Sequence, residues 1–298
     1  MAGTLLALVR LGRFRFLLGG LLLCIFGALL AGVAGHSIDP VRLLAGWTVL
    51  AAGQLSVSYS NDYFDRVADR AGTQTRISGG SGVLLERPDL APLARQVALS
   101  LIGASILIAL DYAALYPVPL YFLPFVLAGN LVGWYYTAPP LAFAYRGLGE
   151  AATALTFGFF MPGMGYLVVA GGFDLFFVAR TVPLLFFGLG FIITVETPDR
   201  EGDAAAGKRT FVVRYGRRAA FLAVFAAFAA FAAGALLLYP LLPVPAIGIA
   251  SLLPVARAAF ACLRPPSGRA AVVAAAGRNH AALAAFVLLA DIVLAARL

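Results

Sequence analysis

Three aspartates, Asp62, Asp65 and Asp69, follow one another at intervals of three and four residues. On a helix this spacing places all three carboxylates on one face, one turn apart. The same face continues backwards through Asn61 and Gln54 into an apolar segment. Acidic side chains in such surroundings are costly and typically functional. Because like charges repel unless a cation lies between them, the stripe predicts an oxygen-ligand site for Mg2+ that is shared with a phosphate.

A second acidic cluster begins at Glu196 and continues through Asp199 and Asp203, again at intervals of three and four residues. Pro198 suits the first turn of a helix. Basic residues follow closely, at Lys208, Arg209 and Arg214. The two clusters are predicted to hold two Mg2+ ions, which together with the basic side chains would neutralise a diphosphate. The alternative is that both are ordinary solvated loops, but two clusters with matching spacing favour a joint site.

The chemistry that such a site serves is the ionisation of an allylic diphosphate, whose carbocation must be shielded from water. An apolar cavity walled by transmembrane helices provides that shielding and also accommodates a long isoprenoid tail. Aromatic faces stabilise a cation, and the candidates are Tyr63, Phe64, Trp134, Tyr135, Tyr136 and Phe157. Each of these is individually more typical of packing or of an interfacial anchor. The residues alone therefore indicate a Mg2+-dependent enzyme that acts on a lipid diphosphate.

The elements that position these residues must lie in a membrane. Hydrophobic residues make up 62% of the 298-residue chain, and charged residues only 12%. Mean hydropathy is +0.92. Soluble domains usually carry about 25% charged residues, so the composition predicts an all-α polytopic membrane protein. The net charge of +8 is attributed to topology and anionic lipid headgroups, not to nucleic acid.

Nine membrane spans are predicted from the apolar runs, and the whole chain, 1–298, is predicted to form a single transmembrane domain. The spans cover about 16–34, 41–60, 93–113, 118–136, 148–170, 175–196, 218–238, 242–263 and 279–296. The polar segments 61–92 and 197–217 follow the second and sixth spans and contain the two acidic clusters. Glycines at 129, 133, 158, 163, 165, 188 and 190 are typical of close helix packing.

The distribution of positive charge supports this count. With the N-terminus in the cytoplasm, 18 of the 22 lysines and arginines fall in predicted cytoplasmic segments, and only Arg42, Arg180 and Arg297 fall on the opposite side. This bias is what the positive-inside rule expects of a correct nine-span topology. Both acidic clusters are therefore placed on the cytoplasmic side of the cell membrane.

Other features of the chain have structural interpretations. Cys24 and Cys262 both lie in apolar runs, where a buried thiol packs as a small hydrophobe. His36 and His280 stand at predicted span edges and have no partner nearby in the sequence. A cleaved signal peptide is an alternative to the first span, but the apolar run is long for one and many spans follow. The sequence contains no nucleotide fingerprint, and no obligatory protein partner is predicted.

The segment Asn61-Asp62-x-x-Asp65-x-x-x-Asp69 resembles the first signature of the UbiA superfamily of membrane prenyltransferases. Asp199-x-x-x-Asp203, followed by Gly207-Lys208-Arg209-Thr210, resembles the second. The resemblance covers essentially the whole chain and implies nine helices around a central cavity that opens laterally to lipid. The metal and diphosphate residues that it implies are Asp62, Asp65, Asp69, Asp199 and Asp203, with Asn61 beside them. Arg66, Arg76, Lys208 and Arg209 become candidate diphosphate contacts, and Tyr135 and Tyr136 candidate substrate contacts.

Three stretches are most similar to the dihydroxynaphthoate polyprenyltransferase branch, which makes menaquinone precursors. They are Asn61-Asp-Tyr-Phe-Asp65, Gly147-Leu-Gly-Glu150 and Gly207-Lys-Arg-Thr210. The resemblance implies that an aromatic acid is prenylated and loses its carboxylate. Ile77-Ser-Gly-Gly-Ser-Gly82 differs from the Arg-Pro-rich sequence of the hydroxybenzoate enzymes. Glu196-Thr-Pro198 differs from the residues that precede the second motif in many members. Hydroxybenzoate, homogentisate and a glycerol phosphate ether therefore stay open as acceptors.

A transporter or flippase for an anionic lipid is the alternative from another class, because intramembrane charge also marks transport pathways. All five motif carboxylates, however, are predicted at cytoplasmic span ends, and none lies mid-membrane as an ion relay would. A non-catalytic membrane scaffold leaves both acidic clusters unexplained. The sequence therefore favours an enzyme.

Overall fold

Helices are the only regular structure in the computed structural model of the protein, which describes residues 2–71, 80–238 and 245–298. In chain order they are α1 (Ala2–Gly12), α2 (Leu17–Val33), α3 (Pro40–Ala71), α4 (Val83–Glu86), α5 (Ala91–Leu115), α6 (Phe122–Trp134), α7 (Phe143–Arg146), α8 (Gly149–Leu155), α9 (Met161–Ala170), α10 (Leu175–Glu196), α11 (Arg200–Ala205), α12 (Phe211–Leu238), α13 (Pro245–Ala250), α14 (Leu252–Leu263) and α15 (Arg269–Ala295). Seven helical segments of this described part are long and apolar enough to cross a membrane. The prediction of an all-helical, multi-pass membrane protein is confirmed.

Seven of the nine predicted spans coincide with these segments. The segments are Gly3–Val33, Pro88–Leu115, Gly149–Ala170, Leu175–Ala205, Phe211–Leu238, Ala246–Leu263 and Arg269–Ala295. The predicted second span lies in α3, whose polar and acidic stripe lowers its hydropathy. The predicted fourth span lies over α6, which has only 13 residues because turns follow Trp134 and an extended stretch with two prolines precedes it. Residues 242–244 of the predicted eighth span lie outside the described residues.

The first predicted span, about 16–34, agrees with α2, whereas the last helix begins earlier than predicted. Arg13 adopts a left-handed conformation, with φ of 43°, and so separates α1 from α2. The last helix begins at Arg269, immediately after Gly268 with φ of 78°, and so starts about ten residues before the predicted span. His280 therefore lies well inside α15 and not at its edge, which corrects the sequence interpretation.

Glycines let neighbouring helices approach at backbone distance. A Cβ atom at Gly27 of α2 would lie 1.8 Å from the Pro162 carbonyl oxygen of α9. A Cβ atom at Gly165 of α9 would likewise lie 1.8 Å from the Cys24 carbonyl oxygen of α2. The sulfhydryl of Cys24 is buried in this same region of contact. The packing interpretation of Gly165 and Cys24 is therefore confirmed.

Two long helices carry the acidic clusters toward each other. α3 continues without a break from the apolar segment through all three aspartates of the first cluster. α10 ends at Glu196, and a 3₁₀ turn, Thr197–Asp199, leads directly into α11. Pro198 stands in that turn, as the sequence predicts, and α11 packs against α3. Clusters separated by about 130 residues in the chain are thus brought to the same place.

Candidate active site

A cavity of about 430 Å³ lies between the helices, and both acidic clusters line it. Its acidic side chains are Asp62, Asp65, Asp69, Glu196, Asp199 and Asp203. Along α3 the lining changes from apolar, at Val49 and Leu50, to acidic. The cavity therefore combines an acidic end with an apolar body.

Lys208 connects the two clusters. Its ammonium Nζ lies 2.8 Å from Asp65 Oδ2 and 3.3 Å from Asp203 Oδ1. Tyr145 donates a hydrogen bond of 2.8 Å from its hydroxyl to the other oxygen of Asp65. Burial alone lowers the pKa of Lys208, but the carboxylates of Asp65 and Asp203 outweigh it and hold the pKa well above its ordinary value. The amine is therefore charged at neutral pH, and its single positive charge is shared between one aspartate from each cluster.

Asp62 is the most deeply buried member of the first cluster, with 2% of its surface exposed. The backbone N–H of Ser81 donates to its Oδ2 at 3.1 Å, and the Ser81 hydroxyl donates to the same oxygen. The guanidinium Nη2 of Arg13 lies 3.3 Å from Oδ1. Asp62 thus has a cation and two hydrogen-bond donors from outside α3.

Asp69 and Asp199 complete the acidic lining. Gly80 packs so closely against Asp69 that an added Cβ atom would lie 2.3 Å from its Oδ2. Burial, followed by the charges of Asp62 and Asp65, raises the pKa of Asp69 to about 7. In this environment a bound cation would stabilise the charged form of the carboxyl group.

Asn61 lies beside the acidic side chains, where its Oδ1 accepts a hydrogen bond of 2.9 Å from the Thr137 hydroxyl. This contact joins α3 to the segment that follows α6. Tyr136, from the same segment, also lines the cavity. Asn61 and Tyr136, both candidates from the sequence, therefore line the cavity, and their roles stay predictions.

The apolar body of the cavity has an aromatic wall. Phe157 and Phe160 line it from the π-helical turn Thr156–Phe160, which joins α8 to α9. Such turns occur frequently at functional sites. The Phe157 ring stacks on Phe191 of α10, with ring centroids 4.4 Å apart. These faces could stabilise a carbocation in the cavity.

Three of the residues proposed from sequence to contact substrate do not line this cavity. The Arg66 guanidinium folds back along its own helix, donating to the Tyr63 carbonyl oxygen at 2.6 Å. The side chain of Arg209 is exposed, and Tyr135 is half-buried without lining the cavity. Arg76 lies outside the described residues. Of the candidate basic contacts that the structure describes, only Lys208 lines the cavity.

Several cavity residues were missed from the sequence. In the sequence, Arg13 and Arg15 were counted with the positive charges that set membrane topology, and nothing linked Arg13 to Asp62. His280 was assigned to a span edge, although it lines the cavity from within α15. Glu196 was not missed: the sequence places it in the second acidic cluster, although the family resemblance does not include it among the metal ligands, and it lines the cavity with them.

The donor set suits a hard cation such as Mg2+, because it consists entirely of carboxylate oxygens. Neither oxygen of Glu196 has a hydrogen-bond partner among the described residues, although both are buried. With the side chains as they stand, no three acidic, histidine or cysteine residues in the described part are close enough together to hold a metal ion. Lys208 instead lies between Asp65 and Asp203. The residue types therefore fit Mg2+ when the ammonium of Lys208 moves out from between the two aspartates.

A family model described as the UbiA prenyltransferase family matches residues 21–281. No curated protein sequence matches the chain significantly. Among solved structures, an apo UbiA homologue from Aeropyrum pernix K1 is 18% identical, with a TM-score of 0.69 and coverage of 94% of this chain and 98% of that one. A UbiA homologue from Archaeoglobus fulgidus bound to DMAPP and Mg2+ is 16% identical, with a TM-score of 0.65 and coverage of 95% and 99%.

A third structure concerns digeranylgeranylglyceryl phosphate synthase in membranes. It is 17% identical to this chain, with a TM-score of 0.67 and coverage of 97% of this chain and 98% of that one. At such identities these three likenesses establish a shared fold.

Proposed function

Because the chain belongs to the UbiA prenyltransferase family, we propose that it transfers a polyprenyl group from an allylic diphosphate to an aromatic acceptor, with Mg2+ as its metal. One observation carries this proposal. Two acidic clusters that are distant in sequence line one end of an apolar cavity, and Lys208 bridges them. An acidic end suits a metal-bound diphosphate, and an apolar body suits a prenyl chain.

Asp62, Asp65, Asp69, Asp199 and Asp203 are the proposed metal ligands, and Glu196 adds a sixth carboxylate to the same lining. Two Mg2+ ions would neutralise the diphosphate and make it a better leaving group. The A. fulgidus homologue, which binds DMAPP together with Mg2+, supports this assignment. In the proposed bound state Lys208 leaves the aspartates and contacts the diphosphate.

The protein's own residues then protect the reactive carbon. The aromatic wall of Phe157, Phe160 and Phe191 faces the cavity in which the allylic cation forms. Its faces stabilise the positive charge, and its apolar surface excludes water that would otherwise capture it. Tyr136 is a further candidate contact at the boundary between the acidic end and the apolar body.

The proposed acceptor is dihydroxynaphthoate, as in menaquinone biosynthesis, and the motif resemblance supports it. A glycerol phosphate ether is the second candidate, since one structural neighbour concerns digeranylgeranylglyceryl phosphate synthase. Both acceptors present a hydroxyl group and an anionic group. They differ in whether a ring carbon or an oxygen forms the new bond.

In the membrane we propose a single domain of nine spans, with α3 and α6 crossing together with the seven apolar segments. The N-terminus and both acidic clusters would face the cytoplasm across the cell membrane, as the charge bias favours. The cavity would open sideways to lipid so that a long prenyl chain can enter.

A product assay tests the proposal. The purified protein, in liposomes with Mg2+ and a long-chain prenyl diphosphate, is offered dihydroxynaphthoate, hydroxybenzoate and a glyceryl phosphate ether in parallel. We expect a Mg2+-dependent prenylated naphthol whose mass shows loss of carbon dioxide. Product from another acceptor alone would keep the reaction class and replace the acceptor, whereas no product from any of them would contradict the proposal.

A further inference from the structure

The cavity holds a second group of polar side chains that the metal and diphosphate do not account for. His280 of α15 and Arg15, just before α2, both line the cavity. The Nδ1 atom of His280 is buried and has no hydrogen-bond partner in the part of the chain that the structure describes. Arg15 stands just before α2, and α2 packs against α15. A buried ring nitrogen without a hydrogen-bond partner is costly unless a ligand supplies one.

The position of this group relative to the other parts of the site is defined by packing. His280 lies against Phe191, with ring centroids 5.3 Å apart, and Phe191 stacks in turn on Phe157. α15 packs against the turn Thr197–Asp199, so His280 lies on a helix that borders the second acidic cluster. An aromatic wall, an imidazole and a guanidinium therefore line the same cavity as the place proposed for the diphosphate.

We propose that Arg15, His280 and the Phe157–Phe191 stack form the acceptor subsite, in which His280 is the catalytic base for an acceptor that carries a hydroxyl and an anionic group. The proposal rests on the proposed prenyl transfer and specifies its second substrate by chemistry. Arg15 binds the carboxylate or phosphate of the acceptor. The aromatic rings hold its body, and His280 accepts the hydroxyl proton.

The proton and electrons balance in this arrangement. The C1–O bond of the donor breaks, and its electron pair leaves with the diphosphate. The hydroxyl proton of the acceptor moves to a ring nitrogen of His280, and the electrons left behind form the bond to C1 from the oxygen itself or from a conjugated ring carbon. In a naphthoate the carboxylate then departs as carbon dioxide, its bonding pair restores the ring, and the oxygen takes its proton back. In a glyceryl ether the proton leaves through solvent.

The first test uses His280→Ala, with His36→Ala as a matched control, because His36 is exposed in the loop between α2 and α3. A general base contributes about 10²- to 10⁴-fold. We expect the kcat of prenylation to fall by about that factor in His280→Ala, with the KM for the prenyl diphosphate unchanged. Imidazole added to the buffer should restore part of the lost rate, which a purely structural role would not produce. His36→Ala should match the wild type.

Two outcomes of this test would overturn the assignment. The first is a kcat within about threefold of wild type for every acceptor. The second is a loss of kcat in His280→Ala that imidazole does not restore, combined with an unchanged kcat in His280→Gln, whose side chain has a similar volume. Size-exclusion profiles and thermal unfolding of each variant separate such effects from misfolding.

The role of Arg15 is tested with acceptors that differ only in the anion. In Arg15→Ala the KM for dihydroxynaphthoate or for the glyceryl phosphate ether should rise about tenfold, equivalent to about 1.4 kcal/mol. The KM for dihydroxynaphthalene, which has no carboxylate, should not change. An equal rise for the neutral acceptor would show that Arg15 does not recognise the anion, and would overturn that part of the proposal.

A binding test keeps the inference separate from the proposed function. Diethylpyrocarbonate modifies histidine, and mass spectrometry distinguishes His280 from His36. We expect an acceptor with hydroxyl and anionic groups to protect His280 in the wild-type protein and to leave His36 reactive. Protection without turnover would contradict the proposed transfer yet keep the subsite, whereas no protection by any acceptor would overturn the subsite.

Discussion

Lys208 is the only lysine in the chain, and it occupies the point where the two acidic clusters meet. About 87% of its side chain is shielded from solvent, as is a similar fraction of Asp65 and Asp203. Removing one partner from a buried ion pair leaves an uncompensated charge, which costs more than the pair contributes. Lys208 therefore has two expected roles, holding α3 and α11 together without metal and contacting the diphosphate when it binds.

Substitution of Lys208 by Met should lower the stability of the metal-free protein by about 3 kcal/mol, because Asp65 and Asp203 would then face each other unneutralised. The control is Arg10→Gln, which removes an ion pair with Glu86 whose partners are both about half exposed. Exposed pairs contribute about 0–1 kcal/mol. Thermal unfolding in detergent measures both variants, and equal effects would show that the Lys208 bridge is not stabilising.

Substitution of Asp65 by Asn should reduce turnover by at least about 100-fold, since it removes a proposed metal ligand and preserves the volume of the side chain. Asp199→Asn should behave in the same way. Asp89→Asn is the matched control, because Asp89 is an exposed residue paired with Arg87 outside the cavity. Rates are compared at saturating Mg2+ and prenyl diphosphate. Near-normal turnover in Asp65→Asn would exclude a metal role for that residue.

At the scale of elements, the contact between α2 and α9 fixes the apolar body of the cavity. α9 begins where the π-helical turn ends, so the position of α9 also sets the position of Phe157 and Phe160. Gly27 and Gly165 allow the two backbones to meet, with no room for a side chain at either position. Small residues at such contacts are the usual basis of close helix packing in membranes.

Substitution of Gly165 by Ala should destabilise the protein by about 1–3 kcal/mol, because the new methyl group would overlap the Cys24 carbonyl oxygen and push α2 from α9. The control is Gly103→Ala on α5, where an added Cβ atom meets nothing within 4 Å. That variant should be neutral or slightly stabilised, as alanine favours a helix over glycine. Unfolding temperatures that fall equally for both would contradict the close contact.

At the scale of the whole molecule, the site is assembled from distant parts of the chain, so metal and fold should be coupled. EDTA should abolish turnover, and Mg2+ should restore it. In the presence of a non-hydrolysable prenyl diphosphate analogue, Mg2+ should also raise the unfolding temperature, because ligands that bind only the folded state stabilise it. The same addition to Asp65→Asn should give a smaller rise. Turnover that persists after thorough chelation would contradict the metal assignment.

The proposed topology can be tested by labelling single cysteines in a Cys24→Ser, Cys262→Ser background. In intact cells a membrane-impermeant maleimide should label His36→Cys, between α2 and α3, but not Asp89→Cys, beyond α4. Permeabilised cells should show labelling of both. Labelling of both positions in intact cells would contradict an odd number of crossings between them.

The sequence by itself determined the class of protein and the position of its acidic clusters. Membrane helices satisfy their backbone hydrogen bonds internally, so a long apolar run predicts an element without knowledge of its neighbours. The spacing of Asp62, Asp65 and Asp69 predicted a shared face for the same local reason. The same local rules explain why the sequence did not place Arg13 or His280 at the site, since they carry no information about which helices meet.

Only the tertiary structure decided which side chains surround the cavity. Arg13 and Lys208 meet aspartates on other elements, whereas Arg66 turns back along its own helix, and these outcomes depend on the packing of α3 against elements far away in the chain. His280 enters the site because α15 packs beside α10 and the turn Thr197–Asp199. Long-range contacts of this kind depend on the shape of the whole fold, which a pattern of residue types does not encode.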